Sequence, residues 1–235
     1  MAQSKNILMV LSSNSGIPGS DREEYGWYLP ECAHPYLRFK EEGYKIDIAS
    51  VLGGKTTVCP TSVDLKDEDN KKFWECEETR KLIEQSLPLS DCNGKDYDAV
   101  FYVGGFGTMW DFPNDENVQR VAREVYEHGG VVSAVCHGPI ALANVKLANG
   151  DYLVKGMNMT AFTNEEEDQI GVLDLLPNHE GAGKTCEDVL QARGANFLKS
   201  SAWHANALSD GRLCTGQNPA SAKLVAEKVI QVLSK

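Results

Sequence analysis

Short apolar runs, most of them rich in β-branched residues, recur along this chain, and polar segments with helical spacing separate several of them. The runs occupy residues 7–11, 45–51, 99–103, 131–135 and 159–163. Strands that alternate with helices usually pack as a parallel sheet, because each helix returns the chain to the edge where the next strand begins. The pattern therefore predicts an α/β fold with a mostly parallel sheet.

Helix boundaries are marked by short polar side chains that can cap a first turn. Candidate starts lie at Asp21 with Glu24, Asn114, Thr185 with Asp188, and Asn218 before Pro219. One helix is predicted over residues 30–42, with Glu31 in its first turn and a glycine after its end. The last helix is predicted over residues 219–233, where valines and an alanine at helical spacing form a core-facing stripe.

The charge-rich stretch at residues 53–95 does not follow the regular alternation of strands and helices. It contains isolated large apolar residues among many acids and lysines, so we interpret it as an inserted, partly helical subregion. No repeat, low-complexity tract or linker rich in proline, glycine and serine marks a break in the chain. The sequence therefore predicts a single domain over residues 1–235.

Composition limits the partners and the compartment. The net charge of −11 would repel phosphate backbones and anionic lipids, and the apolar runs are shorter than the roughly 20 residues of a membrane span. We therefore expect neither nucleic acid nor membrane partners. The start of the chain has no signal-peptide pattern, and its seven cysteines are scattered without C-x-x-C spacing. Free thiols and a cytoplasmic location are expected, with the nucleus as a further location in a eukaryote.

Cys136 is the candidate nucleophile. It follows the apolar run at residues 131–135, and a helix-like pattern begins immediately after it. This arrangement is typical of a nucleophile on a tight strand-to-helix turn, and Gly138 allows the turn to be sharp. We expect the amides of the following helix and the neighbouring His137 to favour a thiolate and a bound oxyanion.

A glycine-rich loop follows the predicted strand at residues 99–103. Gly104, Gly105 and Gly107 do not complete the dinucleotide pattern G-x-G-x-x-G, because Trp110 stands where the third glycine belongs. The loop could instead supply backbone N–H groups to an oxyanion beside Cys136. A plain tight turn is the alternative.

Acidic residues are candidates for proton transfer and for orienting a histidine. Glu31 alone is typical of a solvated carboxylate at a helix start, and it would matter if its helix packed against Cys136. His34 is more typical of a hydrogen-bonded structural histidine. One acid of the run at residues 165–168 could orient His137. No cluster has convincing metal-ligand spacing, so neither a metal nor another cofactor is expected.

Taken in order, five segments of the chain resemble the ThiJ/PfpI superfamily, and in particular its glyoxalase III or heat-shock-chaperone branch. They lie at residues 30–35 (PECAHP), 104–108 (GGFGT), 134–139 (AVCHGP), 162–167 (FTNEEE) and 210–221 (DGRLCTGQNPAS). The resemblance implies a flavodoxin-like sandwich with helices on both faces of the sheet. It also implies that the cysteine sits on a nucleophile elbow and that a glutamate of the first long helix faces it.

The same resemblance implies roles for individual residues. Cys136 would be the nucleophile and Glu31 the proton shuttle, with His137 and Glu167 completing a triad. The N–H groups of Gly105 and His137, beside Gly104, would form the oxyanion pocket. A carboxyl group next to a thiolate would also have a raised pKa.

The implied activity is the glutathione-independent conversion of methylglyoxal to lactate by a cofactor-independent carbon–oxygen lyase of the D-lactate dehydratase type. The substrate would be a small 2-oxoaldehyde and the protein a homodimer. Three alternatives stay open at this point. They are a holdase or deglycase that acts on client proteins, a cysteine-triad peptidase or amidotransferase, and a redox sensor based on Cys136.

Overall fold

The structure is a computed structural model that describes residues 4–17, 19–21, 25–179 and 182–235. In this part of the chain, nine strands are present: β1 (Asn6–Leu11), β2 (Lys45–Ser50), β3 (Leu87–Pro88), β4 (Ala99–Tyr102), β5 (Val131–Val135), β6 (Asn158–Met159), β7 (Asn196–Phe197), β8 (Ala207–Asp210) and β9 (Leu213–Gly216). Seven of these described strands form the main sheet, in the order β3-β2-β1-β4-β5-β9-β8. β6 and β7 pair separately.

The main sheet is parallel except at one edge. β1 pairs with both β2 and β4, and β5 lies between β4 and β9, all in parallel register. β8 runs antiparallel to β9. Every residue of β4 and β5 is buried, as expected for central strands that are covered on both faces. The prediction of an α/β fold with a mostly parallel sheet is confirmed.

Helices cover both faces of this sheet. Those in the described residues are α1 (Leu29–Glu41), α2 (Glu68–Glu75), α3 (Glu77–Glu84), α4 (Thr108–Asp111), α5 (Glu116–Glu127), α6 (Asn164–Ile170), α7 (Cys186–Ala192) and α8 (Ala222–Leu233). α1 and α8 pack on the face that carries Ile7, Met9 and Leu11, whereas α5 packs on the face that carries Leu8 and Val10. Successive side chains of β1 thus point alternately into two apolar cores, one on each face of the sheet.

Four of the five predicted strands are present with boundaries within one residue of the prediction. The prediction for residues 159–163 is wrong, because only Asn158–Met159 forms a strand, and this strand lies outside the main sheet. Thr163 instead caps α6, so the chain leaves extended structure to begin a helix. The strands β3, β8 and β9 of the main sheet were not predicted.

The helix starts agree with the capping pattern in part. Thr185 caps α7 by accepting a hydrogen bond from Asp188 N–H, and Asn218 precedes a 3-10 turn that leads into α8. The start predicted at Asn114 is wrong by one residue, because the side chain of Asp115 caps α5. The start predicted at Asp21 involves Glu24, which lies outside the described residues.

The stretch at residues 53–95 contains α2 and α3 and also contributes β3 to the edge of the main sheet. α2 packs against α1, and Phe73 of α2 makes an edge-on ring contact with Tyr36 of α1, with the ring centroids 5.2 Å apart.

In the part of the chain that the structure describes, no helix is long and apolar enough to cross a membrane.

Gly216 ends β9 where α8 approaches the sheet. A Cβ atom there would lie 2.5 Å from Val225 Cγ2 and 2.9 Å from Ser221 Cβ. Overpacking a core costs about 1–3 kcal/mol, so we expect Gly216→Ala to lower the free energy of unfolding by about that amount. Urea unfolding at equilibrium measures it. Gly16→Ala is the matched control, because a Cβ at Gly16 meets nothing within 4 Å. An equal urea midpoint for Gly216→Ala and the wild type would contradict this packing.

Candidate active site

Cys136 stands on a sharp turn at the carboxyl end of β5. Its φ of 59° is in the left-handed region, which residues with a side chain rarely adopt. Two backbone hydrogen bonds hold the turn: Cys136 N–H donates to Gly216 O at 2.9 Å, and Phe162 N–H donates to Cys136 O at 2.8 Å. The predicted strand-to-helix turn is present, but a 3-10 turn at Gly138–Leu142 replaces the expected α-helix.

Glycines allow neighbouring segments to approach this turn. A Cβ at Gly138 would collide with the carbonyl of Tyr102 on β4. A Cβ at Gly104 would collide with Glu31 Oε2, and it would lie 3.0 Å from Cys136 Cβ. The Glu31 carboxyl and the Cys136 side chain therefore flank the same point, and the absence of a side chain at Gly104 leaves room for both.

His137 links the sulfur to a carboxylate. Its Nδ1 lies 3.4 Å from Cys136 Sγ, and its Nε2 lies 2.8 Å from Glu167 Oε1. The imidazole is held between Phe106, with ring centroids 5.5 Å apart, and Phe162, at 4.4 Å. Cysteine, histidine and acid are thus arranged in the order that a thiol–imidazole–carboxylate relay needs.

The three consecutive glutamates of α6 lie in different surroundings. Glu165 is exposed, and Glu167 is buried against His137. Glu166 is also buried, and it accepts hydrogen bonds from Thr163, Trp203, Gln217 and Asn218. Geometry therefore pairs Glu167 with the histidine, and Glu166 holds together segments that surround the site.

Glu31 lies in the first turn of α1, but it is not the solvated residue that its position alone would suggest. Its side chain is fully buried, and neither carboxyl oxygen has a well-aligned hydrogen-bond partner in the structure. Burial raises the pKa of Glu31 to about 8, although Cys136 and the Gly104 amide are near enough to lower it somewhat. The group is therefore protonated at neutral pH. The expected direction is observed, but burial rather than charge repulsion is its main cause.

The expectation of a resting thiolate at Cys136 is wrong. Burial raises the pKa of the Cys136 thiol well above its ordinary value, and the neighbouring Glu31 acts in the same direction. The His137 backbone amide lowers this pKa, but by less. Desolvation outweighs the amides because the thiolate would lose its hydration. The sulfur is thus held as a thiol until a reaction removes its proton.

Two residues that line the cavity, Gly105 and His137, have backbone amides that could bind an oxyanion. Neither amide donates to a backbone carbonyl among the described residues, and the His137 amide lies close enough to the Cys136 sulfur to lower its pKa. Gly105 has a φ of 112°, and a Cβ there would lie 2.7 Å from Tyr28 N. Glycine thus permits a close approach between this loop and the start of α1. The loop predicted at residues 104–107 is therefore next to the cysteine turn, with donors suited to an oxyanion.

A cavity of about 360 Å³ opens above these groups. Cys136, His137 and Gly105 line it, and much of its remaining wall is apolar. A larger cavity of about 740 Å³ lies at the amino ends of the strands, beside Lys5 and Asp98, and is lined by none of the candidate site residues. The chemistry therefore belongs to the smaller cavity, at the carboxyl ends of the strands, where parallel sheets usually bind ligands.

Tyr28 was not identified from the sequence, although it lines the cavity beside Cys59 and Thr61. Burial, followed by the charges of Glu31 and Cys136, raises the pKa of the Tyr28 hydroxyl to about 12. The hydroxyl therefore stays protonated and can donate a hydrogen bond to a ligand. No motif marks this position, since a tyrosine before a helix is not a chemical signature.

His34 does not reach the cavity. Its Nε2 pairs with Asp67, the capping residue of α2, at 3.1 Å, which agrees with a structural role.

The sequence analysis did not assign a separate role to Glu166. The spacing of Thr163 and Glu166 is that of a capping box, and the structure contains it, so the sequence could have separated Glu166 from Glu167.

Comparisons with known sequences and with solved structures identify the same family. Residues 25–232 match the DJ-1/PfpI family. Glyoxalase 3 of Candida albicans is 36% identical over 95% of this chain and 96% of its own. A glutathione-independent glyoxalase of Saccharomyces cerevisiae is 33% identical over 97% of this chain and 98% of its own.

Solved structures agree with these sequence relatives. The 24-kDa Rapid Encystment Protein of Francisella tularensis superposes with a TM-score of 0.91 at 37% identity, over 97% of this chain and 99% of its own. The glyoxalase III of Candida albicans superposes with a TM-score of 0.88 at 34% identity, over 97% of both chains. The fold and the motif resemblance are thereby confirmed, and the chain belongs to the DJ-1/PfpI family.

Proposed function

We propose that this protein is a glutathione-independent glyoxalase that converts methylglyoxal to lactate. The observation that carries the proposal is the fully buried Glu31 carboxyl group beside Cys136, where burial raises its pKa to about 8. A peptidase or amidotransferase needs the cysteine, the histidine and an acid that orients the histidine, but not a further carboxyl at the sulfur. Moving hydrogen between two adjacent carbons does need such a group. The named glyoxalases among the relatives support the same activity.

The first step forms a hemithioacetal. His137 takes the thiol proton as Cys136 Sγ attacks the aldehyde carbon, so that a C–S bond forms and the carbonyl electrons move to oxygen. The amides of Gly105 and His137 hold the oxyanion. Glu31 then donates its proton to that oxygen. This transfer leaves a carboxylate beside the new tetrahedral carbon and an imidazolium paired with Glu167.

The second step is an internal redox exchange. The Glu31 carboxylate removes the hydrogen of the former aldehyde carbon as a proton, which gives an enediolate, and returns this proton to the neighbouring carbon. The hydroxyl proton of the first carbon moves to the oxygen of the second. One carbon becomes a thioester carbonyl and the other an alcohol, so no external oxidant or reductant is required. In this proposal the hydroxyl of Tyr28, which lines the cavity, donates to the second oxygen during this exchange.

Hydrolysis releases the product. Water attacks the thioester carbonyl, and the Glu31 carboxylate accepts one of its protons. The C–S bond breaks, and the sulfur recovers its proton from His137. Lactic acid leaves, and Cys136, His137 and Glu31 all return to their starting protonation states. Each proton and electron pair is accounted for by these three residues, the substrate and one water.

We also propose a cytoplasmic location. Six of the seven cysteines are free thiols in the structure: Cys32, Cys76, Cys92, Cys136, Cys186 and Cys214. Free thiols in this number are typical of a reducing compartment. Several are deeply buried, and burial raises the thiol pKa of Cys32 and Cys186. Neither of these two lines the cavity that Cys136 lines.

Cys136→Ser should reduce kcat/KM for methylglyoxal by about a thousandfold or more, because a serine hydroxyl is a far weaker nucleophile than a thiol at this site. Production of lactate, followed by chromatography, measures the loss. Cys76→Ser is the matched control, because Cys76 is an exposed free cysteine outside the cavity, and it should retain wild-type turnover. Full lactate production by Cys136→Ser would refute the proposed nucleophile.

Glu167→Gln should lower kcat on the order of a hundredfold, because the imidazolium formed at His137 would lose its charged partner. Glu165→Gln, which alters the exposed neighbour two residues earlier, should leave kcat unchanged. Steady-state rates of both variants test the assignment. If the two variants had the same kcat, Glu167 would not be the acid that orients His137.

Comparison of Glu31→Gln with the wild type should reveal the raised pKa of Glu31. The difference between their free energies of unfolding should depend on pH. Between the ordinary glutamate pKa of 4.5 and the folded value of about 8, the folded wild type keeps a proton that the unfolded chain has lost. The free energy of unfolding of the wild type therefore falls as pH rises through this window, whereas the glutamine side chain of the variant does not titrate. The free energy of unfolding of Glu31→Gln should therefore rise relative to that of the wild type as pH increases. This difference should become constant above a pH of about 8.

Urea unfolding of both proteins from acid to mildly alkaline pH measures this difference. Infrared difference spectra provide an independent measurement, because the C=O stretch of the protonated Glu31 carboxyl group should be lost in Glu31→Gln at neutral pH. The buried Asp111, whose pKa is raised to about 7, should contribute equally to both proteins and cancel in the difference. A constant difference in stability across the window would show that Glu31 is ionised in the folded protein.

A further inference from the structure

Glu166 has a carboxylate that accepts five hydrogen bonds inside the protein. Its side chain is fully buried, and the residue lies in the first turn of α6. The donors are Thr163 N–H and Thr163 O–H, both at 3.0 Å, Trp203 N–H at 2.8 Å, Gln217 Nε2 at 3.1 Å and Asn218 Nδ2 at 2.9 Å. All five donors are uncharged. A buried carboxylate that is satisfied in this way is held firmly in one position.

The two side-chain amides can present only their N–H groups to this carboxylate, because their oxygens are engaged elsewhere. Gln217 Oε1 accepts a hydrogen bond from Ser200 N–H at 2.9 Å. Asn218 Oδ1 accepts one from the Ser221 hydroxyl at 2.9 Å. Position 166 is therefore surrounded by donors. A glutamine of the same shape would turn an NH₂ group toward some of them and leave donors unpaired.

The same donors belong to the two segments that hold the backbone of Cys136. Thr163 follows Phe162, whose N–H donates to Cys136 O. Gln217 follows Gly216, whose carbonyl accepts Cys136 N–H. One carboxylate thus joins the two segments that fix the strained turn, and each segment is only one residue away from its contact with the cysteine.

The Glu166 side chain also fixes the start of the helix that carries Glu167. Glu166 N–H donates to the Thr163 hydroxyl at 3.2 Å, which completes the capping box of α6. Glu167 Oε1 pairs with His137 Nε2 at 2.8 Å, whereas the buried Glu167 Oε2 has no hydrogen-bond partner among the described residues. The position of Glu167 therefore depends on the helix start rather than on further contacts of its own.

We propose that Glu166 is a positioning residue for the reaction. Its carboxylate holds the strained turn of Cys136 and the acid that orients His137 in one fixed arrangement. Glu166 does not line the cavity, so it acts through these residues and not on the substrate. The proposal rests on the glyoxalase activity proposed above and assigns a further residue to the same site.

Glu166→Gln should lower kcat for methylglyoxal about tenfold or more, because a small displacement of reacting groups costs a large factor in rate. KM should change by less than about threefold, because the substrate does not contact this side chain. Steady-state production of lactate measures both constants.

An NMR measurement on the ligand-free protein reports the displacement without turnover. The Nε2 proton of His137, which is hydrogen-bonded to Glu167, should give a downfield resonance in protein with isotope-labelled histidine. In Glu166→Gln this resonance should move upfield, because the hydrogen bond lengthens when the start of α6 loses its anchor.

Glu124→Gln is the matched control. Glu124 also joins two segments through a carboxylate, which accepts hydrogen bonds from Gly94 N–H at 2.9 Å and from Arg120 at 3.1 Å, but it lies on α5 outside the cavity. The free energy of unfolding of this variant should fall, as urea unfolding will measure, whereas its kcat and its His137 resonance should equal those of the wild type.

A second variant covers the case in which Glu166→Gln does not fold. Thr163→Val removes one of the five donors and nearly preserves the volume of the side chain. It should lower kcat and move the His137 resonance in the same direction as Glu166→Gln, by a smaller amount.

An unchanged His137 resonance in the folded variant, or an equal loss of kcat in Glu124→Gln, would overturn the proposal. Wild-type kcat in Glu166→Gln would overturn it as well. If the wild type did not turn over methylglyoxal while Glu166→Gln still shifted the resonance, the glyoxalase assignment would fail and the positioning role would stand.

Discussion

The left-handed backbone of Cys136 is the constraint on which the site depends. A residue with a side chain in this region costs of order 1–2 kcal/mol, so the surrounding structure has to hold it. Its two backbone partners, Gly216 and Phe162, begin segments that lead to other parts of the site. After Phe162 the chain enters the helix with Glu167, and after Gly216 it reaches Asn218, which binds Glu166. The strained turn and the groups around it are therefore fixed by the same contacts.

The fold could be predicted where burial gives a simple pattern. Among the predicted strands, β1, β4 and β5 are buried on both faces along nearly their whole length, so their apolar runs stand out in the sequence. β9 is as fully buried, but its four residues include Thr215 and Gly216, and β3 has only two residues, so neither gives a periodic signal. The failure at residues 159–163 has a local cause, because Thr163 leaves the extended run to cap a helix.

The motifs of the site could be predicted from the sequence, but the burial and the charge states of its residues could not. Cys136, His137 and the glycine loop each carry a local pattern, and the structure brings them together with Glu31 and Glu167. The charge states depend on desolvation, which no local pattern contains. A first-turn glutamate should be ionised by the helix dipole, yet burial outweighs this effect at Glu31. Trp203 and Tyr28 were missed because their position depends on contacts distant in sequence.

The edges of the main sheet limit association with other chains. At one edge, β3 has two residues and ends in Pro88, which has no N–H group to offer to an incoming strand. At the other edge, β8 ends at Asp210, whose carboxylate accepts the Asn158 amide at 2.8 Å. Neither edge presents a long, flat row of unpaired backbone groups. The central apolar strands are thus shielded from the edge-to-edge stacking that leads to amyloid-like aggregation.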